Sequence, residues 1–390
     1  MPDPVKWCIC IGYFYGRLTG VLNFEIDLKT GRTRVTNRAN LYAALAQIVL
    51  TYFLVHQAME VKFFRLFWWQ ANILHEVVYL AMAGFRLGCI LISLVSRWLY
   101  RRHFIRLFHS FRCLVHEHPE ITQCCRVGIV SKCFFSTALD ALMLLMGLVM
   151  MWQHLTVFMV LQICSVSILT AVINVIITQY HVAIAIIRGR YTLLIRELGS
   201  IMAEAQTLVP SGVGVFVTRC CALADSLDEL AAAQSNLQAL TECLSKTYGL
   251  QILSMFMAYY LNFVGTAYLI FSVGKYTNIT ENWPPLFKAL AAAYMVIFIS
   301  DCYLCTYNPF RLLNSHSELS ALLKQRSTLP PGLDPRLEIA FENFELNLAR
   351  NPLTLSFFGA YTIDPASLFA VMNSLITNAI LLIQYDVENY

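Results

Sequence analysis

Seven apolar runs organise this 390-residue chain, at about 41–59, 72–95, 128–152, 155–178, 248–274, 286–307 and 366–385. Each is close to the ~20 residues an α-helix needs to cross the hydrocarbon core of a bilayer. The basic residues then set the orientation. Six precede the first run (Lys6, Arg17, Lys29, Arg32, Arg34, Arg38) and six lie in the second loop (Arg97, Arg101, Arg102, Arg106, Arg112, Arg126). Five lie in the fourth loop (Arg188, Arg190, Arg196, Arg219, Lys246) and five in the sixth (Arg311, Lys324, Arg326, Arg336, Arg350). The first, third and fifth loops and the tail hold two (Lys62, Arg65), none, one (Lys275) and none. Only Arg86, Lys132 and Lys288 fall inside the runs. Twenty-two cytoplasm-facing cations against three put the N-terminus inside and the C-terminus outside. That is the reverse of a G-protein-coupled receptor.

The expected fold is therefore an all-α membrane protein of seven transmembrane helices with cytoplasmic helical extensions. A cytoplasmic arm, about 1–40, precedes a single membrane domain, about 41–390. At 58% hydrophobic and 13% charged residues the chain is too apolar for an ordinary soluble domain. Its net charge of +4 sits where cytoplasmic loops face anionic membrane lipid, so nucleic acid is not an expected partner. No apolar leader precedes Leu41, and the first run serves as the insertion signal.

None of the 13 cysteines falls in an outside loop. Cys8, Cys10, Cys113, Cys124, Cys125, Cys220, Cys221 and Cys243 are cytoplasmic, where thiols stay reduced. Cys89, Cys133, Cys164, Cys302 and Cys305 lie in the runs as small packing residues. Cys302-x-x-Cys305 has zinc-like spacing but no second pair, so neither a metal nor a cofactor is expected. The one glycosylation sequon, Asn278-Ile279-Thr280, lies in the fifth loop, on the side that the charges place outside.

The cytoplasmic loops carry helical patterns, giving an expected base over about 188–247 and 308–352. Leu223, Leu227, Leu230, Leu237, Leu240 and Leu244 recur at helical intervals. Asp334-Pro335 is an N-cap followed by a first-turn proline, opening a helix to Arg350 with Leu337, Phe341, Phe344 and Leu348 on one face. These stripes either extend the spans into the cytosol or pack between subunits. Because a monomer would be expected to leave them exposed, they favour assembly.

The last run, about 366–385, holds the most specific pattern. At about 100° per residue, Asn373, Thr377, Ile380 and Gln384 share one face within about 60° of arc. A polar stripe at lipid depth must face protein or water. It is either glue between helices of one monomer or the wall of an aqueous pore built from several copies, with amide and hydroxyl dipoles for selectivity and Ile380 as an apolar constriction.

Thr377-Asn-Ala-Ile-Leu-Leu-Ile-Gln384-Tyr385 resembles the C-terminal signature of insect gustatory receptors, Thr-Tyr, five apolar residues, then Gln-Phe. Phe358-Gly359 with Ile363-Asp364, Tyr13-Phe14-Tyr15-Gly16, Asn23 to Asp27 and Arg350-Asn351-Pro352-Leu353 are also similar to that family, particularly to fly members regarded as bitter-type receptors. Asn378 stands where the motif has Tyr, and Tyr385 where it has Phe. The resemblance implies a taste receptor in the plasma membrane of chemosensory neurons, acting as a ligand-gated, non-selective cation channel opened by small-molecule tastants. Four subunits, identical or mixed with related receptors, would surround one pore lined by the last helix. Thr377, Gln384 and Tyr385 match its pore and gate positions.

For a ligand pocket, His75, Glu76 and Tyr79 lie in the outer half of the second run and Trp152 ends the third. Gln162 begins the fourth, Tyr260 and Tyr268 lie on the fifth, and Tyr294 on the sixth. Aromatic walls with few polar anchors suit small amphipathic ligands, although interfacial aromatic belts place the same residues without one. Asp140 and Asp301, at lipid depth, require buried partners or water.

Other classes fit less well. A G-protein-coupled receptor lacks its Asn-Pro-x-x-Tyr here, a secondary transporter would show repeats or broken helices, and no nucleophile–base spacing suggests an enzyme. A chemoreceptor that signals without its own pore remains the alternative. Protease protection of terminal tags in intact cells should leave an N-terminal tag protected and a C-terminal tag cleaved, and Asn278→Gln should remove any attached glycan. An N-terminal tag cleaved from outside would refute the orientation.

Overall fold

The computed structural model describes residues 4–26, 33–59, 72–152, 156–208, 214–276 and 283–389. Asn278, Lys62 and Arg65 lie outside them. Among the described residues helices dominate. They are α1 (Pro4–Leu18), α2 (Asn37–Met59), α3 (Ile73–Leu99), α4 (Arg101–Glu117), α5 (Glu120–Met150) and α6 (Val157–Thr207), then α7 (Gly214–Lys275), α8 (Pro285–Lys324), α9 (Pro335–Arg350) and α10 (Pro365–Asn389). Two small antiparallel hairpins interrupt them, β1 (Glu25–Ile26) with β2 (Thr33–Arg34), and β3 (Ser356–Phe357) with β4 (Tyr361–Thr362). Six helices, α3, α5, α6, α7, α8 and α10, are long and apolar enough to cross a membrane. The first expected run is helical too, as α2. The architecture is all-α, as the apolar pattern implies.

Three helices far exceed a bilayer. At 51, 62 and 40 residues, α6, α7 and α8 are about 77, 93 and 60 Å long, against a core of about 30 Å. Their surplus continues unbroken, and α9 packs against α7. Asp334 caps α9 by accepting from the Arg336 amide at 2.9 Å, with Pro335 in the first turn.

The leucine stripes correct one expectation. Leu223, Leu227, Leu230, Leu237 and Leu244 are buried within the single chain, in one cluster with Leu337, Phe341, Phe344 and Leu348. The base hides its apolar faces intramolecularly, so those faces give no argument for assembly. The exposure argument fails because α9 folds back along α7, a long-range contact that periodicity cannot reveal.

Polar groups at depth find partners inside the bundle. Lys132 on α5 donates to both carboxylate oxygens of Asp301 on α8 at 2.7 and 2.6 Å, with both side chains buried. Asp140 accepts from Asn174 at 2.6 Å and from Tyr15 of α1 at 3.3 Å. Arg86 donates to the hydroxyl of Thr170. Pro309, inside α8, removes a backbone donor, and beside it Asn308 donates to the His181 carbonyl at 3.0 Å while accepting from Arg188 at 2.9 Å. The N-terminal arm is thus part of the fold. Val5 of α1 packs with Ile121, Cys125 and Ile129 of α5, and Tyr15 reaches Asp140 further along the same helix.

Removing one partner of the Lys132–Asp301 pair strands a buried charge, at a cost of about 3–5 kcal/mol. Lys132→Met and Asp301→Asn should each lower Tm in detergent markedly. The double replacement Lys132→Met/Asp301→Leu should recover most of the loss. Additive losses in the double variant would show that the two residues do not act as a pair.

Candidate functional site: the two faces of the last helix

The approach to α10 is built from tight local geometry. Phe358 (φ 52°) and Gly359 (φ 68°) turn the β3–β4 hairpin through the left-handed region, which favours glycine at the second position. Asp364 then caps α10, accepting from the Ser367 amide at 2.8 Å, the Ser367 hydroxyl at 2.8 Å and the Thr362 hydroxyl at 2.9 Å. The Ser367 backbone donor, ahead of the two hydroxyls, holds its carboxyl below the ordinary carboxylate range. The capped end is ionised at neutral pH and complements the positive helix terminus.

One face of α10 is bonded to α7. Asn378 donates to Tyr260 Oη at 2.6 Å, and Tyr260 Oη lies 2.7 Å from Ser374 Oγ. Eight residues further on, Asp386 is buried and accepts from four side chains. These are Asn72 at 2.8 Å, Tyr268 at 3.1 Å, Lys275 at 3.2 Å and Tyr276 at 3.2 Å. Lys275 also reaches the Asp386 carbonyl at 3.3 Å. The two anchors are eight residues apart on both helices, about 12 Å of rise, so α7 and α10 run parallel in register. Asn72 is at the same time the N-cap of α3, its side-chain oxygen accepting from the His75 amide at 3.0 Å. Asp386 therefore clasps the outer ends of three helices together.

The opposite face is unpacked. Asn373, Thr377, Ile380 and Gln384 are all exposed, and Tyr385, about 100° round the helix from Gln384, is exposed as well. Within the stripe, the Thr377 hydroxyl donates to the Asn373 carbonyl at 2.9 Å. Leu382, away from the stripe, is half-buried.

The expected pocket residues are dispersed. His75 is buried, its ring centroid 5.3 Å from Tyr268 and 6.0 Å from Tyr276. Tyr268 is fully buried on Asp386, and Tyr260 bonds α10. Glu76 and Tyr79 are half-buried on α3, as is Gln162 on α6. Tyr294 is half-buried and stacks on Phe298 at 6.1 Å, and Trp152 is 75% exposed. The structure thus brings His75, Tyr260 and Tyr268 to the α10 contacts and leaves Trp152 apart.

The 7tm chemosensory receptor family model matches residues 9–389. The chain belongs to that family. Among its relatives, a Drosophila melanogaster protein under the provisional name gustatory receptor 59d is 47% identical over 390 residues, all of both chains. Another from the same organism, provisionally gustatory receptor 36b, is 31% identical over 98% of this chain and 99% of its own. Among solved structures, the insect olfactory receptor OR5 from Machilis hrabei in complex with eugenol superposes with a TM-score of 0.61 at 12% identity, covering 97% of this chain and 98% of that one. A second structure of the same Machilis receptor gives 0.60 at 14% identity, over the same shares of the two chains. At such identity the likeness speaks to the fold alone. The protein is a multi-pass membrane receptor of this chemosensory family and not an enzyme.

Sequence reasoning about this receptor missed Asp386 and its partners Asn72 and Lys275. A signal existed, because an acid two residues beyond Gln384 and a lone Lys ending the fifth run are ionisable groups at matching outer ends of two helices. It missed, too, that Asn378 works through Tyr260.

Asp386→Ala removes the acceptor for Asn72, Tyr268, Lys275 and Tyr276 at once. Backbone amide exchange over residues 380–389 should accelerate about tenfold or more, with Asp386→Asn intermediate. Unchanged exchange in the Ala variant would show that the clasp does not hold the helix end.

Proposed function

We propose that this receptor is a gustatory receptor working as a ligand-gated, non-selective cation channel, with α10 from each of four subunits lining one pore. The carrying observation is the asymmetry of α10. One polar face is bonded inward through Asn378 and Asp386, while Asn373, Thr377 and Gln384 face outward, exposed, on a helix apolar enough to span lipid. Exposed amides at lipid depth are costly. Arranging copies of this face around an axis would hydrate them.

In that arrangement Gln384 and Tyr385 lie near the outer mouth, Thr377 and Asn373 deeper, and Ile380 forms an apolar collar. Amide and hydroxyl dipoles, without a carboxylate ring among these positions, would pass cations with little discrimination. The subunits are identical or mixed with related receptors, in the plasma membrane of chemosensory neurons. The family membership and the gustatory names of the relatives support a tastant as ligand, and the motif resemblance supports the bitter type. The Machilis receptor's complex with eugenol supports a small amphipathic molecule.

We assign its pocket to the outer half, with Glu76, Tyr79, Gln162 and Tyr294 as lining and His75, Tyr260 and Tyr268 as the link to the pore helix. A ligand that shifts α3 against α7 would pull on Asp386, which touches both, and so on the outer end of α10.

Single-channel recording tests this. Gln384→Ala should change conductance or ion preference, while Leu382→Ala, away from the stripe, should leave permeation unchanged. Normal surface expression with unaltered conductance and selectivity in Gln384→Ala would count against the pore assignment. Agonist responses that persist without any current through the receptor would favour signalling without a pore.

A further inference from the structure

A cavity of about 230 Å³ lies near the cytoplasmic end of α3, remote from the outer clasp of α10. Its walls come from α1 and the segment after it, α4, α5 and α6, with one residue each from α3 and α7, and they are largely apolar, including Ile11, Tyr13, Leu107, Phe108 and Ile129. Two charged side chains also line it, Arg97 and Asp140.

Arg97 is only 3% exposed. Its guanidinium donates to Gln179 Oε1 at 2.7 Å and stacks over Phe104 at 4.0 Å and Tyr248 at 5.0 Å. Its Nε is buried without a hydrogen-bond partner, and among the described residues no carboxylate lies within ion-pair distance of it. Arginine cannot shed its charge, and the ring faces and the C-terminal end of α3 compensate it in part only. Asp140 is satisfied differently, by neutral donors on Asn174 and Tyr15. Asn174 and Gln179 are five residues apart on α6, about 7.5 Å of rise, so acid and base occupy different levels of the cavity.

The surroundings face the inner leaflet. α4 buries Phe104, Leu107 and Phe111 against the bundle and exposes Arg102 and Arg106, two cations at the level where the cytoplasmic leaflet presents anionic headgroups. α1 exposes Trp7 at 61% and Phe14 at 71%. An apolar chamber at this level with an under-compensated, buried guanidinium in its wall matches a molecule with an apolar chain and an anionic head.

We propose that this cavity binds an anionic amphiphile, its chain between α1, α4 and α5 and its carboxylate or phosphate on Arg97. Asp140 repels the head from the other level and so sets the orientation. The site is separate from the tastant pocket and the pore, and it stands whether or not the receptor conducts.

The test uses the full-length protein in nanodiscs of neutral phosphatidylcholine, with a photoactivatable diazirine analogue of dodecanoic acid and the matching dodecanol as probes. The acid should label cavity walls such as Tyr13, Phe108 and Cys133 about tenfold more than the alcohol. Arg97→Gln should reduce acid labelling to the alcohol's level, and Arg97→Lys should restore part of it. Equal labelling by acid and alcohol on the wild-type protein would overturn the proposal even if Arg97→Gln fails to fold. So would acid labelling of a folded Arg97→Gln equal to wild type, or labelling confined to other surfaces. Adding phosphatidic acid to the nanodisc separates the two sources. Competition with the probe assigns the head to a membrane phosphate, and retained acid labelling assigns it to a free carboxylate, each upholding the anionic site.

Discussion

Inside a bilayer a polar side chain has no water to bond, and much of this bundle is arranged around the groups that must be satisfied there. Lys132 and Asp301 neutralise each other between α5 and α8. Asp140 draws Asn174 from α6 and Tyr15 from α1, one of the contacts that hold the N-terminal helix along α5. Arg86 turns to Thr170, and Asn308 bridges His181 and Arg188 beside the α8 proline. Each contact joins helices whose apolar surfaces alone would pack in many registers, because lipid tails are as apolar as leucine and give no drive toward one arrangement.

The same constraint gives α10 its character. Most membrane helices here turn their polar groups inward and their apolar groups outward. In α10 polar groups occupy both faces. The inward set is fully engaged, with Asn378 on Tyr260 and Asp386 holding four donors. The outward set is exposed, which in lipid is a standing cost unless copies of the chain share it. In the pore proposed above, copies of the chain share this outward set, whereas the cytoplasmic base is closed within one chain, where Phe341 and Phe344 are buried.

In the proposed channel, the clasp at Asp386 places recognition and response close together. Its donors come from α3 and α7, the helices that carry His75, Tyr260 and Tyr268, and its acceptor sits two residues beyond Gln384. Few intermediate contacts are needed to carry a shift of α3 or α7 to the outer end of α10. The Arg97 cavity lies toward the other face of the membrane, so any influence it has on the receptor travels through the length of α3.

Sequence alone marked the long apolar helices and the stripe on the last one, and loop charge set the expected orientation, because run length, loop charge and 100° periodicity are local properties that bilayer thickness and surface potential act on directly. The cap of α9 was legible for the same reason, since Asp334 and Pro335 act on their own turn. The motif at Thr377 to Tyr385 resembles the family's signature because it is a contiguous run, and the family model covers it. Tertiary structure decided the rest. It determined that α9 buries the leucine stripe of α7 within one chain, that Asp140 and Asp301 have Tyr15, Asn174 and Lys132 as partners, and that Asp386 gathers Asn72 and Lys275 from more than a hundred residues away. Such pairings depend on which helices become neighbours, and that is settled by the sum of many weak contacts rather than by any spacing along the chain.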